Sequence, residues 1–129
     1  MERIISHTYF ARENQKVTCI RCNSQSPKTF RDLKIALHGK KIDLRFIDGD
    51  HSFGGVSKIF GDYTPFVRRG GLIAFHDFQP GYLSRYNKQT DTYVGDVLTF
   101  WKDLEVNGKI SIIEDKDQDG FGIGYFFLQ

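Results

Sequence analysis

The chain has 129 residues, with 18 Lys and Arg against 16 Asp and Glu and a formal net charge of +2. Hydrophobic residues at 40% and charged residues at 26% are globular proportions, not those of a disordered chain. The near balance of charge, with no long basic run, argues against a nucleic-acid surface, and no apolar run is long enough to span a bilayer.

Met1–His7 lacks the apolar stretch of a secretory signal, so a cytoplasmic location is expected. Cys19 and Cys22 form a C-x-x-C, but on a strand positions i and i+3 point to opposite faces. Two reduced thiols are therefore expected rather than a disulfide or a metal knuckle.

Lys16–Cys22 alternates β-branched and polar residues and reads as a first strand. Asn23–Ser26 follows as a loop. Pro27 suits the first turn of a helix carrying Phe30, Leu33 and Leu37, which Gly39 ends. Ile42–Asp48 is a second, largely apolar strand. From Gly54 to Arg69, the spacing of Val56, Ile59, Phe60, Tyr63, Phe66 and Val67 describes one helical face. Pro65 should kink that helix or set off a separate last turn. Arg68 and Arg69 then fall at the helix end, where they would complement its dipole.

Gly71–His76 is a third strand, apolar throughout, as in a sheet covered on both faces. Asp77–Asp91 is polar, aromatic and aperiodic, a loop suited to cover a site. Helical spacing returns over Tyr93–Leu104, through Val94, Val97, Leu98 and Trp101. Lys109–Glu114 and Phe121–Leu128 are strands joined by a short polar turn ending in Asp119-Gly120, so an antiparallel hairpin is expected. Asp115, Asp117 and Asp119 resemble the start of a calcium loop, but Phe126 stands where its last carboxylate belongs.

This order implies an α/β domain with a mainly parallel sheet ending in an antiparallel hairpin. Ligands of such sheets bind beyond the carboxyl ends of the strands. Three polar places follow apolar strands: Asn23-Ser24, Asp48–Ser52 and His76–Phe78. Asp48 and Asp77 would suit a hard divalent cation, and His76 would add nitrogen for a softer one. His51 is the candidate general base, because imidazole exchanges protons near neutral pH. Against this, Asp50 and Ser52 would equally serve to cap the helix that starts near Gly54.

Ile42–Phe53, a helix, and then Arg69–Asp77 resemble the class I S-adenosylmethionine-dependent methyltransferases with an I-D-G-D-H strand end, such as macrocin-type sugar O-methyltransferases and cephalosporin-hydroxylase-like proteins. The resemblance runs from about Val17 to Gly122-Ile123-Gly124 in the final strand. It implies a three-layer, Rossmann-like fold and O-directed methyl transfer to a small acceptor such as a sugar or another hydroxyl compound. It also implies catalytic roles for Asp48, His51 and His76 and donor contacts from Asn23, Ser24 and Asp50. Asp48 and Asp77 would hold Mg2+ or another divalent cation, although a histidine at position 76 departs from the family's all-oxygen pattern.

The family's glycine-rich donor loop and acidic ribose-binding strand end have no counterpart, since Met1–Gln15 contains no glycine. The chain is therefore expected to be one N-terminally truncated domain that binds the donor incompletely. Lys16–Cys22 should then pair directly with Ile42–Asp48 in a five-stranded sheet, or a second copy of the chain should cover the bare edge. Two other functions compete: a non-catalytic binding module keeping the fold, and a metal-dependent transferase or hydrolase using Asp48-Gly49-Asp50.

Overall fold

The computed structural model describes residues 11–90, 93–104, 111–113, 115 and 117–129. Two compact units divide the chain, Met1–Lys40 and Lys41–Gln129.

In the first unit, helix α1 covers Pro27–Leu37, with Pro27 in its first turn. Ser26 caps it by accepting from the Lys28 N–H, and His38 ends it in a left-handed conformation. Thr29 Oγ1 donates to the Asn23 carbonyl at 2.5 Å and lies 2.8 Å from Cys22 Sγ, which ties the helix start to the preceding loop. Lys16–Cys22 forms no strand and contains a single bridge residue, Cys19.

The second unit holds β1 (Ile42–Ile47), α2 (Phe53–Tyr63), a 3-10 turn (Thr64–Phe66), β2 (Val67–His76), α3 (Tyr82–Tyr86), α4 (Val97–Asp103), β3 (Ser111–Ile113) and β4 (Ile123–Phe127). These strands make a four-stranded sheet in the order β1-β2-β4-β3. Among the described residues no fifth strand joins this sheet, where a five-stranded one was expected, and β1 stands at the end of the strand order. Only β1 and β2 pair in parallel; β4 runs opposite to the rest and pairs antiparallel with both β2 and β3. The hairpin is thus as expected, but β4 inserts beside the central strand, so the sheet is mixed rather than mainly parallel.

Alternation along the strands sorts their side chains. Ile47, Ile73, Phe75 and Phe126 face the helices and join Val56, Val97, Phe100 and Trp101 in one buried cluster. Phe75 meets Trp101 edge-on at 5.6 Å and Phe60 at 5.9 Å, arrangements that aromatic quadrupoles favour. Leu44, Phe46 and Phe127 lie on the opposite face and are exposed.

Pro65 ends the helix as its chemistry requires, and the last turn is the separate 3-10 segment. Strand β2 therefore starts at Val67, four residues before the expected Gly71. Arg68 and Arg69 consequently lie on a strand, where Arg68 Nε donates to Asp43 Oδ1 at 2.5 Å, and they do not act on a helix dipole.

Arg45 fixes the far end of α2. It is buried on β1 and donates to the Ile59 carbonyl at 2.5 Å and the Phe60 carbonyl at 3.3 Å. Its guanidinium lies 5.1 Å from the Tyr63 ring. Burial lowers its pKa to about 10, partly countered by Tyr63. Removing it takes the side-chain donor from both carbonyls, of which Phe60's still accepts from the Thr64 N–H and hydroxyl, and empties a buried site. Arg45→Ala should therefore lower stability by about 2 kcal/mol, read as a lower urea midpoint at unchanged slope.

Candidate functional site

The site forms where the parallel pair β1–β2 ends, and each side chain is placed by an identifiable local constraint. Asp48 follows β1 directly and is half-exposed. The turn after it is held by Asp50, whose Oδ1 accepts from the Ser52 N–H at 3.0 Å and the Ser52 hydroxyl at 2.8 Å. Ser52 in turn caps α2 by accepting from the Gly55 N–H at 3.1 Å. A Cβ on Gly55 would fall 2.1 Å from Asp50 Cγ, so only glycine lets this carboxylate sit on the helix start. The capping role for Asp50 and Ser52 is thus the one the geometry shows.

His51 is turned inward by that cap, and its Nε2 lies 2.8 Å from Asp77 Oδ2 and 3.9 Å from Asp48 Oδ1. Asp77 follows β2 with φ +55, a left-handed conformation that Asp tolerates better than most residues. The turn aims its buried carboxylate back at the strand ends while Phe78 enters the core, edge-on to Trp101 at 4.9 Å. His76 Nδ1 lies 3.2 Å from Asp77 Oδ1 and 3.6 Å from Asp48 Oδ1. Neither contact is a hydrogen bond, and this buried nitrogen has no hydrogen-bond partner among the described residues.

Four of the candidate residues therefore converge: Asp48, His51, His76 and Asp77. Asp48, His51 and Asp77 each offer one ligand atom, all within 4.8 Å of one another, a mixed oxygen and nitrogen set. Asp50 is not in this set, so Asp48-Gly49-Asp50 does not act as a two-carboxylate clamp in this geometry. Asn23 and Ser24 lie in the first unit, where Asn23 Oδ1 accepts from the Gln25 N–H at 2.9 Å in a turn.

Sequence reasoning missed the segment that backs His51. Asp96 N–H donates to the His51 carbonyl at 2.7 Å, and Asp96 Oδ2 accepts from the Phe53 N–H at 3.4 Å. Gly95 has φ +65 and touches His51. The Tyr93 ring lies parallel to the imidazole, 6.0 Å away. The readable signal was Gly95-Asp96 directly before an apolar helical pattern, and α4 starts at Val97, four residues later than expected.

With the geometry in place, comparison with known proteins is decisive for ancestry. Residues 4–78 match the methyltransferase domain family, a span that contains Asp48, Asp50, His51, His76 and Asp77. The chain belongs to that family. Over 38 residues, 30% of this chain, the domain is also 47% identical to an uncharacterized protein of Acanthamoeba polyphaga mimivirus. The match spans 17% of the viral protein's length. Among the described residues of the methyltransferase domain, no helix is long and apolar enough to cross a membrane.

The two bonds from Ser52 hold the Asp50 pKa below its ordinary value of 3.8, because both favour the ionised carboxylate. A lowered acid pKa means stability present above that value and lost as pH falls through the folded-state pKa. Asp50→Ala should lower the melting temperature at neutral pH. The gap from the parent protein should narrow below pH 3.8, as thermal melts across pH would show.

Proposed function

We propose that this methyltransferase domain is O-directed and S-adenosylmethionine-dependent, with a three-layer, Rossmann-like ancestry, and that His51, oriented by Asp77, takes the proton of the acceptor hydroxyl. One observation carries the reading: the 2.8 Å approach of His51 Nε2 to Asp77 Oδ2 at adjacent strand ends, inside the family match. A neutral imidazole donating through Nε2 keeps its lone pair on Nδ1. A buried carboxylate against that N–H fixes the tautomer and stabilises the imidazolium formed when the acceptor proton arrives. Asp48, half-exposed beside the pair, would accept from a neighbouring hydroxyl of the acceptor and leave the reacting one to His51. A sugar or another small hydroxyl compound fits this chemistry.

S-adenosylmethionine, when bound, supplies the electrophilic methyl group. The residues the resemblance assigns to it fit poorly as a complete donor site. Asp50 is committed to Ser52 and Asn23 to Gln25, and Met1–Gln15 offers no glycine for a close turn. The donor's cradle is therefore proposed to need protein beyond these residues, as in a truncated domain or a homo-oligomer that covers the β1 edge.

The test is methyl transfer from S-adenosylmethionine to a panel of sugars and other hydroxyl compounds, read as methyl ethers by mass spectrometry. His51→Ala should lower kcat by about 10²- to 10⁴-fold. No calorimetric heat with millimolar S-adenosylmethionine would exclude catalysis by this chain alone and favour a binding module.

A second reading rests on the ligand atoms of Asp48, His51 and Asp77 and on the unpartnered His76 Nδ1. Here Asp48 and Asp77 hold a divalent cation, which would supply Lewis-acid polarisation of the acceptor oxygen. Such an ion takes the Asp77 oxygen that otherwise faces His51. A melting temperature raised by manganese or magnesium in the parent protein, and unchanged by them in Asp77→Asn, favours this reading over the His51–Asp77 ion pair.

A further inference from the structure

The residues that hold His51 from behind form a second layer of the site. Asp77 meets one ring edge, at Nε2. A charged contact on one edge leaves the ring free to rock about it, so the face and the backbone must be held separately. The Tyr93–Asp96 segment does both. The Tyr93 ring lies against the imidazole at 6.0 Å with an interplanar angle of 7°. At Gly95 a Cβ would fall 2.4 Å from His51 Cβ and 2.6 Å from its carbonyl oxygen, so the chain passes closer there than any side chain allows. Asp96 N–H then bonds that same carbonyl at 2.7 Å.

Two features argue against an incidental contact. Tyr93 is 72% exposed, so it is not held there by core packing, and its ring nonetheless lies parallel to the imidazole. The segment is also anchored rather than loose, because α4 begins at Val97, and Val97, Phe100 and Trp101 are all buried in the core. A backbone contact on His51 is thereby referred to the rigid part of the fold.

We infer that Gly95 and Tyr93 are positioning residues for His51: Gly95 by admitting the chain against its Cβ and carbonyl, Tyr93 by fixing the plane of its ring. The inference rests on the reading of His51 as proton acceptor. Neither residue is assigned contact with the acceptor or the donor, so their loss should act on kcat rather than KM.

The experiment pairs kinetics with imidazole ¹H–¹⁵N spectra of the intact 129-residue protein, the His51 signals being assigned by their loss in His51→Ala. In the parent protein His51 should show one tautomer, protonated on Nε2. Tyr93→Ala and Gly95→Ala should move its signals toward a tautomer average and lower kcat about tenfold at unchanged KM. Tyr93→Phe, which keeps the ring, should restore both. If Gly95→Ala does not fold, the Tyr93 variants decide alone, since that side chain is at the surface. His51 signals and kcat at parental values in Tyr93→Ala, with Gly95→Ala the same where it folds, would overturn the inference. If His51→Ala itself leaves kcat intact, the proton-acceptor reading fails instead; in that case, or where the 129 residues alone transfer no methyl group, the spectra alone decide positioning.

Discussion

A carboxylate taken out of water must find compensation, and much of the site's geometry follows from how Asp77 finds it. Its side chain is buried, and its two oxygens face different imidazoles, Oδ2 toward His51 and Oδ1 toward His76. Isolated burial of this charge would cost several kcal/mol, so the residues around it are constrained to supply donors. The left-handed backbone at Asp77 turns the carboxylate toward the strand ends. The same turn sends Phe78 onto Trp101 and lets the Gln79 N–H bond the Phe121 carbonyl at 2.7 Å. Site and core are thus stabilised by one change of chain direction.

The opposite strand end is built on the same economy of local bonds. Asp50, Ser52 and Gly55 close a turn that carries Asp48 and His51 beside Asp77. The turn binds one acidic residue into its own hydrogen bonds and leaves the other beside the histidines. A helix start needs an acceptor for its free N–H groups, and Ser52 held by Asp50 supplies it. Asp48, with no such duty, remains beside the two histidines. The difference between these two aspartates is one of position in the turn, not of chemistry.

Much of the architecture was legible because it depends on local patterns. Pro27, Gly39 and Pro65 mark helix limits by backbone geometry alone, and α1, the 3-10 turn and the hairpin appear as that geometry requires. Errors arose where tertiary contacts overrode a local pattern. Val67–Arg69 fits a helical face but extends β2, because Pro65 had already ended the helix and Arg68 finds Asp43 across the strands. Lys16–Cys22 alternates like a strand yet is bridged at Cys19 alone among the described residues, for alternation describes a half-buried surface and does not set how far its pairing runs. Tyr93–Asp96 fits the start of α4 but is spent on His51 instead.

By itself the sequence determined the family and the two strand ends, since a carboxylate or imidazole directly after an apolar run must emerge at the carboxyl edge of a sheet. It determined that Asp48, His51, His76 and Asp77 would be neighbours, because β1 and β2 are joined by a helical crossover and pair in parallel. Only the tertiary structure decided how they divide the work. Which oxygen meets which nitrogen depends on the left-handed turn at Asp77, and which aspartate is withdrawn to cap α2 depends on the space above Gly55. Whether His51 is held still depends on a segment more than forty residues along the chain, as the Asp96–Phe53 bond shows. Distances of that order are set by how a core packs, and no local pattern encodes them.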